Sequence, residues 1–149
     1  MKRPYLTPEL DERYQLVESR DGCFGLWGEP IFRGIYIGKV IVFKHIGFYP
    51  TGQAEGGPAI EIRHRLAVQD EHILKEIATG YLYTWLDNLP VPQSDLLKKT
   101  HNFQEIWKVR DNLLSVIIVW GWQEADPAII PDCVQRLVQV AEIIENTHL

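Results

Sequence analysis

The sequence predicts an α+β protein: an antiparallel sheet of four to five strands flanked by three helices, in the order α-ββ(β)-α-ββ-α. Three patterns carry that prediction. Residues 31–49 and 59–68 read as extended and apolar, residues 71–86 carry one apolar stripe at helical period, and residues 103–122 read as a hairpin that leads into a helix over 131–146. Hairpins with helices segregated around them belong to α+β architecture rather than to a parallel sheet.

Thr7-Pro8-Glu9 opens the first helix, with a capping hydroxyl, proline at the first helical position and an acid at the positive end of the dipole. Leu10, Tyr14 and Val17 are predicted on its inner face. Gly22, Gly25 and Gly28 then interrupt the chain, with Phe24-Gly25-Leu26-Trp27 as a short strand between them. The stretch IFRGIYIGKVIVFKHIGFY follows, extended, with bends at Gly34, Gly38 and Gly47. Simple alternation puts Ile35, Ile37, Ile41 and Phe43 on one face, and Tyr36, Val40, Val42, Ile46 and Phe48 on the other.

Residues 50–58 are a loop by composition. In the strand after it, Ile60, Ile62, His64, Leu66 and Val68 point one way and Glu61, Arg63 and Arg65 the other. Asp70 caps the longest amphipathic helix, whose stripe is Ile73, Leu74, Ile77, Ala78, Tyr81, Leu82, Trp85 and Leu86. Leu89-Pro90-Val91-Pro92 ends it, and Ser94 caps a short turn through Leu97. Phe103–Arg110 and Leu113–Trp122 pair around Asp111-Asn112. On the second of these strands Leu114, Val116, Ile118, Trp120 and Trp122 share one face, and Leu113, Ile117 and Val119 the other. The last helix, 131–146, turns Val134, Leu137, Val138, Ala141 and Ile144 inward.

A chain of 149 residues is read as one domain over 1–149, large enough to bury a core without staples. Two distant cysteines, Cys23 and Cys133, form no metal or disulfide framework and suit a reducing compartment. No apolar run reaches the ~20 residues of a membrane span, and the first residues lack the apolar core of a signal peptide. The expectation is a cytoplasmic protein without a membrane span.

No catalytic, metal or phosphate signature stands out, so no cofactor is expected. The five histidines lack the short fixed spacing of metal ligands. Cys133 sits in the first turn of a helix, which favours thiolate, but beside Asp132, which opposes it. Glu61-Ile62-Arg63 has the acidic-x-basic form of metal-dependent nucleases but lacks a second nearby carboxylate. The glycines of 52–57 precede a strand rather than a helix, unlike a phosphate loop.

What remains is surface. Two strand regions are apolar on both faces, and three helices cover one face of a sheet well and a second only in part. The predicted function is therefore a non-enzymatic protein-interaction or assembly module, chaperone-like or a structural subunit, that docks protein partners and forms a homo-oligomer. Tyr36, Val40, Val42, Phe48, Ile117, Val119, Trp120 and Trp122 are the candidate partner-binding residues.

Charge supplies an alternative. The chain carries −5 overall, yet residues 31–69 carry +3 while 1–30 and 70–149 carry −2 and −6. Lys39, Lys44, Arg63 and Arg65, near Tyr36, Phe43 and Phe48, could bind single-stranded nucleic acid by phosphate contacts and base stacking. The acidic remainder and the lack of an RNP motif rank this second.

The element order, with FQEIWKVRDNLLSVIIVWGW followed by PDCVQRLVQVAEIIENTHL, resembles the type III secretion chaperone-like fold. That resemblance implies a small, dimeric, non-enzymatic protein that binds other proteins. The inner strand-loop-strand-helix-hairpin part is also similar to phage tail-terminator subunits, which implies a ring-forming, phage-tail-like structural subunit.

Overall fold

The computed structural model describes residues 6–19, 31–46, 59–80, 82–89, 97, 103–120 and 126–147. In chain order these form α1 (Pro8–Tyr14), β1 (Val17–Ser19), β2 (Ile31–Tyr36), β3 (Lys39–Ile46), β4 (Ala59–Arg65), α2 (Glu71–Gly80), α3 (Leu82–Asp87), β5 (Phe103–Arg110), β6 (Leu113–Trp120) and α4 (Ile130–Glu145), with a 3₁₀ turn at Pro127–Ile129. The α+β class holds. The sheet has six strands rather than four or five, ordered β1-β2-β3-β4-β6-β5, and every neighbouring pair is antiparallel.

The extra strands have local causes. Ile37 and Gly38 take φ 51° and 71°, the paired positive values of a type I′ hairpin turn, so 31–46 folds into two paired strands. Gly38 adopts this freely, whereas a β-branched Ile37 does so against its sterics. Val17, expected on the face of α1, instead begins β1 and is exposed, because α1 ends at Tyr14 with Gln15 in the left-handed region. The 71–86 stripe is carried by two helices rather than one. The expected strand Phe24-Gly25-Leu26-Trp27 and the cap at Ser94 lie outside the described residues.

All four helices pack on one face of the sheet, the inner face. Leu10 and Tyr14 of α1, Ile73 and Ile77 of α2, Leu82, Trp85 and Leu86 of α3, and the apolar side of α4 share one core. Phe32, Ile41, Phe43, Ile60, Ile62, Leu114, Val116, Ile118, Trp107 and Val109 complete it from the strands. The inward residues predicted for the last helix are all buried, joined by Ile130, Cys133 and Val140. At one end Tyr14 packs on Phe43 and Tyr36, with ring centroids 5.6 and 6.1 Å apart. Gly34 permits this approach: a Cβ there would lie 3.0 Å from Tyr14 Cβ and 2.8 Å from Leu16 Cδ2.

Candidate functional site

The two-residue turn changes which side chains share a face. Because Tyr36 pairs with Lys39, Ile35 with Val40 and Gly34 with Ile41, even positions of β2 align with odd positions of β3. Simple alternation through the turn had grouped Tyr36 with Val40 and Val42. In the structure Tyr36 is half-buried on the inner face, while Val40 and Val42 lie on the outer one with Ile35.

Register carries this outer face across all six strands. One row runs Val17, Arg33, Val42, Arg63, Ser115, Lys108, and the next runs Ile35, Val40, Arg65, Leu113, Arg110. A third holds Ile31, Lys44, Glu61, Ile117 and Ile106. Val17, Ile35 and Val40 are 65, 49 and 57% exposed on this face, and Ile37 projects from the turn beside them. No described helix packs on this side of the sheet.

The face is uneven. Toward β4 and β6 it is buried: Ala59, Ile117 and Val119 are at most 6% exposed and form a small cluster with Ile106. Ile117 and Val119, both in the predicted docking set, are therefore buried within the single chain rather than open on this face. Trp120 pairs with Phe103 in the inner-face register, and Phe48 and Trp122 lie outside the described residues. Of the eight predicted docking residues, Val40 and Val42 are the two brought together on the open part of the outer face.

The predicted basic residues also divide. Lys44, Arg63 and Arg65 lie outside, but Lys39 faces inward, 3.6 Å from Glu145 Oε1. Arg33, Lys108 and Arg110 join the outer face unpredicted. Their common signal was parity along β2 and β5, which becomes legible once the hairpin pairings are known. Six Lys or Arg then share this face with one described acid, Glu61, which lies 3.8 Å from Arg63. Phe43 and Tyr36, the aromatics expected to stack bases, are on the opposite face, and Phe43 is fully buried.

Two polar clusters lie inside the molecule. Glu105 on β5, 2% exposed, receives both guanidinium arms of Arg136 from α4, one at 2.6 Å, and the Trp107 indole N–H at 3.2 Å. Arg136 also donates to Asp132 at 2.8 Å. Burial works against the Arg136 charge, but its hydrogen bonds to Glu105 and the Glu105 charge outweigh burial and raise its pKa. Burial likewise pushes the Cys133 thiol up, so the helix-terminal effect does not yield a thiolate.

The second cluster joins α4 to β3 and β4. Glu145 accepts the Ala67 backbone N–H at 2.7 Å and lies 3.9 Å from His64 Nε2. His64 is buried, and neither ring nitrogen has a hydrogen-bond partner. Burial lowers its pKa below 6.5; Glu145 and the Val40 backbone oppose this, and Lys39 adds to it. The ring is thus held neutral near pH 7. Both clusters fasten α4 to the sheet and place no reactive group at the surface.

The chain matches no family model, no curated protein and no solved structure. Among the described residues no group of three or more His, Cys, Asp or Glu could hold a metal ion. No helix among them is long and apolar enough to cross a membrane.

Proposed function

We propose that this protein is a non-enzymatic interaction or assembly module that docks other protein chains on the outer face of its sheet and self-associates. The observation that carries this reading is the exposure of Val17, Ile35, Ile37 and Val40 at one end of a face on which no described helix packs. Aliphatic side chains left together in water are ready to be buried by a second surface, each contributing roughly 25 cal/mol per Å² covered. The internal polar clusters support the same reading, since their charges are spent on holding α4 in place.

The second reading, binding of single-stranded nucleic acid, is favoured by the cations of the outer face. It is weakened by the position of the aromatic side chains, because stacking needs ring and cation on one surface.

Light scattering tests the first reading. The wild-type chain is expected to show a mass above 17.3 kDa that grows with concentration. Ile35→Thr with Val40→Thr keeps branched, strand-compatible side chains and removes apolar surface, so it should lower that mass without lowering the melting temperature. A mass of one chain at every concentration would refute self-association.

A further inference from the structure

The outer face is not simply apolar. In the two rows nearest the Ile37-Gly38 and Asp111-Asn112 turns, Arg33, Arg63, Lys108, Arg65 and Arg110 are interspersed with Val17, Val42, Ile35, Val40 and Leu113, and no described acid lies in them; Glu61 stands in the next row. Neighbouring strands are about 4.8 Å apart and same-side residues along a strand about 7 Å, so these cations form one field. Arg33, Arg65, Lys108 and Arg110 are exposed.

The helix layer on the opposite side has the reverse sign. Its exposed acids are Glu9 and Glu12 on α1, Glu71 and Glu76 on α2, Asp87 on α3, and Asp132 and Glu142 on α4. Its exposed Lys or Arg residues are Arg13 and Lys75 among those described. Among the described residues, the sheet face is therefore cationic and the helix face anionic.

We infer that the occupant of the outer sheet face is the acidic helix layer of a second copy of this chain, giving head-to-tail association. This deepens the self-association reading above and rests on it. Two outer faces brought together about a two-fold axis would oppose cation to cation, which electrostatics disfavours. A translation-like step instead sets the basic face of one copy against the acidic layer of the next. The pair then keeps one free face of each kind, so the contact can repeat.

Size and composition set the strength. Two rows, one across six strands and one across five, cover at most about 25 Å by 14 Å, roughly 350 Å², well below the ~800 Å² per partner of a stable complex. The helix layer offers carboxylates but, among the described residues, one large exposed apolar side chain, Tyr83. The contact is therefore weak and electrostatic, of the kind whose attraction fades over a Debye length of ~10 Å at 0.1 M salt.

Sedimentation of the full chain tests this at low salt and at about 0.5 M salt, where screening is nearly complete. Two variants accompany it. Arg65→Thr with Arg110→Thr blunts the sheet face, and Glu12→Gln with Glu76→Gln and Glu142→Gln blunts the helix face; all five positions are exposed, so neither should disturb the fold. Wild type is expected to pass beyond dimer mass with concentration at low salt and to return to one chain at high salt. Each variant alone should associate about tenfold more weakly, and mixing the two should restore a contact that stops at a pair. Association that persists at high salt and in both variants would overturn the head-to-tail geometry while leaving docking through the apolar side chains intact. A closed dimer at low salt would overturn it as well. A single chain at all concentrations would remove self-association altogether. Binding of a labelled single-stranded oligonucleotide, lost in the Arg65→Thr, Arg110→Thr variant and without self-assembly, would assign the face to a polyanion instead.

Discussion

The two ends of the sheet begin from the same sequence pattern and end differently. Residues 35–43 and 113–119 both carry apolar side chains on both faces of their strands. At the β4–β6 end the outer residues Ala59, Ile117 and Val119 are buried, and at the β1–β3 end Val17, Ile35 and Val40 stand in solvent. Inside, the two ends are also fastened differently. The β5 end uses a buried ion pair, Glu105 with Arg136, whereas the β2 end uses aromatic packing around Tyr14 and the close approach at Gly34. An apolar strand face is thus a capacity for burial, and its surroundings decide whether the chain itself uses it.

The largest effect is expected where a charge is buried. Arg136→Leu leaves the Glu105 carboxylate without its partner and should destabilise by about 3–5 kcal/mol in denaturant unfolding. Adding Glu105→Leu should recover much of that loss, since the isolated charge is then gone. If the single variant unfolds like wild type, the ion pair does not fasten α4.

The contrast between the outer ends is sharpened by two truncations. Ile117→Ala should cost about 2–4 kcal/mol, while Val40→Ala should stay within about 0.5 kcal/mol. Equal costs would mean that Val40 is as covered in solution as Ile117. At the aromatic end, Gly34→Ala pushes a methyl group against Tyr14 and Leu16 and should destabilise by about 1–3 kcal/mol, read as a lowered melting temperature. In the nearby turn the sign reverses. Ile37→Asn replaces a β-branched residue at φ 51° with one that accepts that region, and should stabilise by about 1 kcal/mol.

The smallest effect is expected from pH. His64 has a depressed pKa, so below about pH 6.5 the unfolded chain binds a proton that the folded chain resists. Stability must then fall as pH falls through that window. His64→Leu removes the group, so the melting temperature of wild type relative to the variant should decline as acid is added below 6.5. A constant difference would show that His64 takes its proton as easily folded as unfolded. Tyr14 acts at the alkaline limit: burial raises its phenol to about 12, and its contribution is lost as pH rises above 10.

Most of the architecture was written locally. The Thr7-Pro8 start, the Asp111-Asn112 hairpin, the alternation of β4 and the inward stripe of α4 need only neighbours in sequence, because caps, turns and periodicities are short-range. The candidate site was legible in part: Val40, Val42, Lys44, Arg63 and Arg65 were marked and share the outer face. Arg33, Lys108 and Arg110 carried no such mark, Tyr36 lies on the inner face, and Ile117 and Val119 lie on the buried part of the outer one.

By itself the sequence determined the α+β class, the inward stripe of the last helix, and the presence of more apolar strand surface than the helices of one layer can cover. Tertiary structure decided which part of that surplus stays in water. A two-residue turn at Ile37-Gly38 realigned one strand against its neighbour, and side-chain period two converts such a shift into a change of face. Strand pairing then gathered cations from β2, β4 and β5, distant in sequence, onto one surface. No local pattern encodes that gathering, because it depends on register between strands, which is a property of the assembled sheet.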